Sequence, residues 1–265
     1  MKILVAVKEV ASLDEDFEIR DDQLDVDEDF LLYELNEWDD FSLEEAMSIK
    51  ERSDTEVEVV VVSVGPEQVE ESLRKCLAKG ADRAIRVWSD EMEGSDSITV
   101  GRILAAVAEQ EKPDMIFAGV QSSDNADAST GIALASYLNW PHAAVVAGLD
   151  YTPGSNKATA SRELEGGLGQ EVEISCPAVL TIQLGINTPR YASLRGIKQA
   201  AAKPIDEVSL SDLGLTAEEV GADAAFTRVR RMYIPEKGMA TMIDGTTAEQ
   251  AAKLAQIIKE FKGEA

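Results

Sequence analysis

Through its first 150 residues the chain alternates short apolar runs with stretches of helical periodicity, and this alternation most restricts what it can fold into. The runs lie at residues 2–8 (KILVAVK), 57–64, 84–88, 115–120 and 142–149. Between them, residues 42–52, 67–79, 97–111 and 131–138 place apolar side chains on one helical face. Strands alternating with helices of roughly a dozen residues predict a parallel sheet covered on both faces. The first helix is expected to begin with a capping box formed by Ser42 and Glu45, and Gly80 closes the second. With the common strand order 3-2-1-4-5, the reversal falls between the first and fourth strands. Ligands of such sheets bind where the carboxyl ends of those two strands diverge.

Residues 113–137, PDMIFAGVQSSDNADASTGIALASY, supply that place with a local structure. A buried strand ends near Val120, a helix starts near Gly131, and everything between is small and polar. A helix start leaves backbone N–H groups without partners, and the helix dipole adds partial positive charge, so a phosphate suits the spot. Ala128, Ser129 and Thr130 would form the first turn and are small enough for a phosphate to approach the backbone. The competing reading is an ordinary loop capped by Asp127 or Ser129. The switch-point argument and the loop argument select the same location, which favours a nucleotide or another phosphate ligand.

After Asp150 the pattern changes. Residues 156–164 and 171–175 flank Gly166-Gly167 as an antiparallel hairpin, and 178–183 read as a further strand, beyond which the sheet is expected to end. Residues 186–203 carry Arg190, Arg195, Lys198 and Lys203 with no acid, which is unusual in a chain of net charge -25. Residues 204–223 read as polar with a short helical piece, 228–235 as extended, and 246–261 as an amphipathic helix. Such a tail cannot build its own core, so it either folds over the sheet or wraps another chain. Near the other end, residues 14–45 hold 16 acids and one base, too charged to pack, with a short hairpin at 17–19 and 24–26.

The acidic balance argues against nucleic acid and against anionic membrane surfaces as partners. No apolar run approaches a membrane span. The opening MKILVAV reads as a strand rather than a leader, which points to the cytoplasm. Cys76 and Cys176 match no metal or redox spacing, and the single histidine, His142, supports no nucleophile–base–acid set. Neither a Gly-rich dinucleotide fingerprint nor a lysine-bearing P-loop occurs, and the acidic run lacks calcium-loop spacing. No metal site is expected, and nothing argues for covalent catalysis.

Several segments together resemble one family. KILVAVK, LNEWDDFSLEEA (35–46), VSVGP (62–66), CLAKGADRAIRV (76–87), DMIFAGVQSSDNADASTG and PRYASLRGIKQA (189–200) are similar to the β subunit of electron transfer flavoprotein, most of all to the methylotroph type serving trimethylamine or dimethylamine dehydrogenase. The resemblance spans nearly the whole chain. It implies an α/β fold, a doubly wound and mostly parallel Rossmann-like sheet with an antiparallel hairpin. It implies three regions: an AMP-binding domain over 1–185, a partner-recognition loop and short helix over 186–203, and an arm over 204–265 that embraces an α subunit. The α subunit would hold most of the FAD, and the β subunit would bury a structural AMP. The chain would then be an electron carrier rather than an enzyme, accepting electrons from a dehydrogenase and passing them towards the respiratory chain.

Residue by residue, the resemblance places Ala6, Asn36 and Val64 near the adenosine. Gln121, Ser123, Asp124, Asn125, Ala126, Asp127, Ala128, Ser129 and Thr130 would surround the phosphate. Trp38 stands where the family has an aromatic near the flavin, and Leu13 where many relatives have a tyrosine, so Leu13 cannot supply a hydroxyl there. Leu194 would anchor the partner dehydrogenase, with Arg190, Arg195 and Lys198 as a positive rim. Electron-bifurcating relatives carry a loop resembling DGDTAQVG. The loop here, DNADASTG, departs from it, which favours AMP over a second FAD. The alternative is a stand-alone adenine-nucleotide sensor similar to universal stress proteins, which would have no use for the long tail. A nucleotide-activating hydrolase is disfavoured because no SGGxDS phosphate loop follows the first strand.

Overall fold

The computed structural model describes residues 1–12, 17–27, 31–235, 238 and 240–263. In chain order these form β1 (Lys2–Ala6), β2 (Glu9–Ser12), β3 (Leu32–Leu35), α1 (Glu37–Arg52), β4 (Glu58–Val64), α2 (Glu70–Lys79), β5 (Arg83–Val87), α3 (Ser97–Glu111), β6 (Met115–Gly119) and α4 (Thr130–Leu138). They continue with β7 (His142–Asp150), β8 (Lys157–Leu164), β9 (Leu168–Ser175), β10 (Ala178–Ile182), α5 (Leu194–Ala202), β11 (Asp206–Val208), α6 (Gly221–Ala224) and α7 (Thr247–Lys262).

Valine-rich β4 and apolar β1 are buried on both faces, as strands inside a parallel sheet must be. Among the described residues nine strands form one sheet in the order β11-β5-β4-β1-β6-β10-β7-β8-β9, antiparallel only at β7-β8-β9. The expected order 3-2-1-4-5 is therefore interrupted, because β10 lies between β6 and β7. The reason is apolar content. Every residue of β10 is buried, whereas β7 is buried at only two positions, so β10 takes the more central place. The reversal between β1 and β6 stands.

Two cores cover the two faces: α1 and α2 close one with Leu43, Ile49 and Leu73, and α3 and α4 close the other with Ile103 and Leu134. Helix α1 starts earlier than the Ser42–Glu45 pattern suggested. Asn36 is its N-cap, and Ser42, fully buried, donates its hydroxyl to the Trp38 carbonyl at 3.0 Å. Glu37, Asp39 and Asp40 put acids in the first turn, which the helix dipole favours. Of the acidic excursion, Ile19 pairs with Val26 as a small hairpin.

The sheet does not end after β10. β11 adds an edge strand beside β5, where Arg83 holds Asp206 at 2.9 Å and Arg86 holds Glu207 at 2.7 Å. Leu210 and Val220 are buried in the second core, so the stretch from 206 to 220 belongs to the sheet body. Beyond it, Phe226, Val229, Tyr233 and Ile234 are exposed, and so is every residue of α7. α7 is nonetheless well formed, with Thr246 and Glu249 making a reciprocal capping box. Leu254, Ile257, Ile258 and Phe261 line one side of it at helical spacing.

Candidate functional site

The carboxyl ends of β1 and β6 part company, and helix α1 delivers two side chains into the gap. Asp39, 5% exposed, accepts the backbone N–H of Lys8 on one oxygen at 2.8 Å and that of Gly119 on the other at 2.9 Å. Burial pushes its carboxyl up to about 7. Gly119 is required by this approach, because a Cβ there would lie 2.5 Å from the Asp39 carboxylate and 2.6 Å from the Trp38 Cβ. Asn36 makes no cap bond to its own helix. Its buried amide instead donates to the Gln121 carbonyl at 2.9 Å and accepts from the Ser123 N–H at 3.2 Å.

The loop over residues 121–129 is thus tied to α1 at its start, and Lys8 ties its middle by an ion pair with Asp124 at 2.6 Å. Burial alone would raise the Asp124 carboxyl; the Lys8 ammonium outweighs it and holds the group below the ordinary range. Ala126 and Ala128 both adopt positive φ, at 53° and 51°, and fold the backbone tightly. Ser129 donates its hydroxyl to the Asp127 carbonyl and leaves α4 with no side-chain cap. The first turn of α4 is thus left without a side-chain cap, at the start of a helix seated on β10, where Gly131 lies against Thr181. Such an end accepts an anion.

At the same sheet edge, the Trp38 indole donates to the Gln183 side chain at 3.1 Å. On another face of α1, Arg190 is enclosed by Glu44 and Glu51. Leu194, 82% exposed, and its helix neighbours Arg195, Lys198 and Gln199 line a shallow surface hollow of about 420 Å³. Among the described residues, no group of three His, Cys, Asp or Glu side chains is arranged to hold a metal ion, and no helix is long and apolar enough to cross a membrane. Cys76 is fully buried, and burial pushes its thiol well above the ordinary range.

Residues 24–213 match the electron transfer flavoprotein domain. The chain is 76% identical over 263 residues to the electron transfer flavoprotein subunit beta of Methylophilus methylotrophus, covering 99% of this chain and 100% of that one. The chain belongs to the electron transfer flavoprotein β-subunit family. More distant members agree. The mitochondrial β subunit of Arabidopsis thaliana is 38% identical over 213 residues, covering 80% of this chain and 83% of its own. The human β subunit is 36% identical over 217 residues, covering 81% and 84%.

In this electron transfer flavoprotein subunit, Asn36, Gln121, Ser123 and Asp124 meet through direct bonds or through Lys8. Asn125, Ala126, Asp127, Ala128, Ser129 and Thr130 complete the loop and the helix start. Ala6 and Val64 end β1 and β4 on the core face that α4 also covers. Leu13 lies outside the described residues. Arg190 departs from its expected place in an outward rim, because its guanidinium is turned inward onto α1. Lys8 and Asp39 were not singled out from the sequence. Asp39 looked like one more solvated acid in an acidic run, and only the register of α1 buries it. Lys8 at the end of a strand carried no signal beyond its position.

Proposed function

We propose that this electron transfer flavoprotein β subunit binds AMP structurally in the β1/β6 crevice. We further propose that it assembles with an α subunit holding most of the FAD, and that it takes electrons from a partner dehydrogenase for delivery towards the respiratory chain. The observation that carries the nucleotide reading is the uncapped start of α4, approached by a loop that Asn36 and Lys8 hold open at the switch point. Backbone N–H groups there suit the phosphate, and the apolar ends of β1 and β4 at Ala6 and Val64 suit the adenosine. FAD would supply a reversible electron acceptor; on this chain the family resemblance assigns Trp38 to lie against it. The exposed arm and α7 favour a subunit over a free-standing nucleotide sensor, since their apolar side needs a cover. The dehydrogenase is read as the trimethylamine or dimethylamine enzyme from the resemblance to methylotroph β subunits. No nucleic acid takes part, and the complex works in the cytoplasm.

The test is chemical. The chain is coexpressed with its α subunit, the purified complex is denatured, and the released compounds are identified by mass. One FAD and one AMP per heterodimer are expected. Two FAD and no AMP, or no adenine nucleotide beyond FAD, would remove the structural-AMP reading.

A further inference from the structure

The segment from 187 to 203 is exposed on one side and fastened on the other. Its fastening uses Arg190, which the family resemblance would put in the outward positive rim. Arg190 donates its backbone N–H and its Nε to one Glu44 oxygen, at 3.0 and 2.8 Å, and Nη2 to the other at 2.9 Å. Both terminal nitrogens also reach Glu51. Glu44 and Glu51 lie seven residues apart on α1 and so share a face. Three residues before Arg190, Asn187 donates its amide to the Phe41 carbonyl and to Glu45, each at 3.1 Å. Further on, Ser193 caps α5, and Gly196 lies so close to α2 that a Cβ would come within 2.2 Å of the Ala78 carbonyl. What remains outward is Tyr191, 97% exposed, with Leu194 and Ile197.

We propose that Arg190 is a positioning residue rather than a docking contact, and that the Glu44–Glu51 fork on α1 sets the orientation in which Tyr191 and Leu194 meet the donor dehydrogenase. This rests on the docking part of the proposed function. The physical reason is geometric. A planar guanidinium held by two carboxylates has one orientation, so the backbone at 190 is fixed to a helix rather than left to swing. Glu44 is almost covered, with its side chain 11% exposed. The positive charge available to an encountering protein then comes from Arg195 and Lys198, which stand exposed on α5. The same helix brings Asn36 and Asp39 to the crevice, so crevice and docking segment are referenced to one rigid element.

The test uses the heterodimer with its α subunit and four variants: Glu44→Ala, Arg190→Gln, Arg190→Lys and Leu194→Ala. Two readouts are taken, amide exchange over residues 187–193 and the rate of flavin reduction by trimethylamine dehydrogenase. Melting curves and flavin content correct for misfolding, and Glu44→Gln serves if Glu44→Ala melts early. Glu44→Ala should speed exchange in that segment and slow reduction roughly tenfold or more, the scale of a small misplacement at a docking face. Combining it with Arg190→Gln should add little, because both remove one clamp. Arg190→Lys should fall between, since a point charge cannot make the fork. Wild-type exchange and reduction in Glu44→Ala, with slow reduction in Arg190→Gln, would make Arg190 a direct contact and overturn the proposal. If Leu194→Ala reduces as wild type does, the docking reading fails, and exchange still reports whether the clamp exists.

Discussion

Asp39 has each carboxylate oxygen on the backbone N–H of a different strand, and that arrangement gives it a measurable signature. In the unfolded chain it loses its proton near 3.8, and in the folded chain burial holds the proton up to about 7. Between those values the native state binds more protons than the unfolded state. Stability therefore falls as pH rises through the window, by about 1.4 kcal/mol per pH unit from this group, and levels off above it. Asp39→Asn removes the titration and turns an amide NH2 towards one of the two N–H donors. The lost acceptor costs about 1–3 kcal/mol. The difference in melting temperature between wild type and variant should thus be largest near pH 5 and narrow towards pH 8. A constant difference across that range would mean that Asp39 does not titrate there.

At the scale of the element, α4 is a helix whose first turn is left without a cap while its flanks are well packed. An uncapped N-terminus is ordinarily unfavourable, and an acid in the first turn ordinarily helps through the helix dipole. Thr130 is the first helical residue. Thr130→Glu should therefore leave the nucleotide-free chain no less stable, by roughly 0.3–1 kcal/mol in its favour, while depleting AMP from the purified heterodimer. Nucleotide quantified by mass, together with a melting curve, checks both halves. Retention of stoichiometric AMP in the variant would place the phosphate elsewhere. The same element shows why the loop was readable from sequence: strand end, small residues and helix start are local patterns. Its shape was not readable, because Asn36 and Lys8, which brace it, are separated from it by more than eighty residues.

Across the whole molecule the boundary between body and arm falls later than polarity along the chain suggested. Residues 206–220 close one face of the sheet through β11, Leu210 and Val220, while the chain beyond Ala225 buries no large side chain among its described residues. Removing everything after Ala225 should leave a folded sheet body with near-native melting behaviour but no stable association with the α subunit and no retained flavin. Removing everything after Pro204 should in addition uncover the second core and lower the melting temperature by several degrees. Size-exclusion chromatography and flavin absorbance report the first outcome, and thermal denaturation the second. A flavin-bearing heterodimer formed without residues 226–265 would show that the arm is not the clamp.

The five parallel strands and four helices of the first 150 residues, the hairpin after Asp150 and the reversal between β1 and β6 were legible in the chain. Each follows from a local period, from adjacent residues or from a common strand order, whereas the antiparallel pair of β2 and β3 was not legible. The family was legible because its segments recur along nearly the full length. Three matters waited on the tertiary structure. β10 entered the sheet between β6 and β7 because burial on both faces outranks order along the chain. Asp206 and Glu207, unremarkable acids in a polar stretch, became an edge strand because Arg83 and Arg86 on β5 offered opposite charge. Asp39 and Arg190 took their roles from the rotation of one helix. α1 turns some of its acids into a crevice and onto an arginine and leaves others in water, and a run of acids does not say which are which. Burial and pairing between distant segments carry that information, and they exist only once the chain has folded.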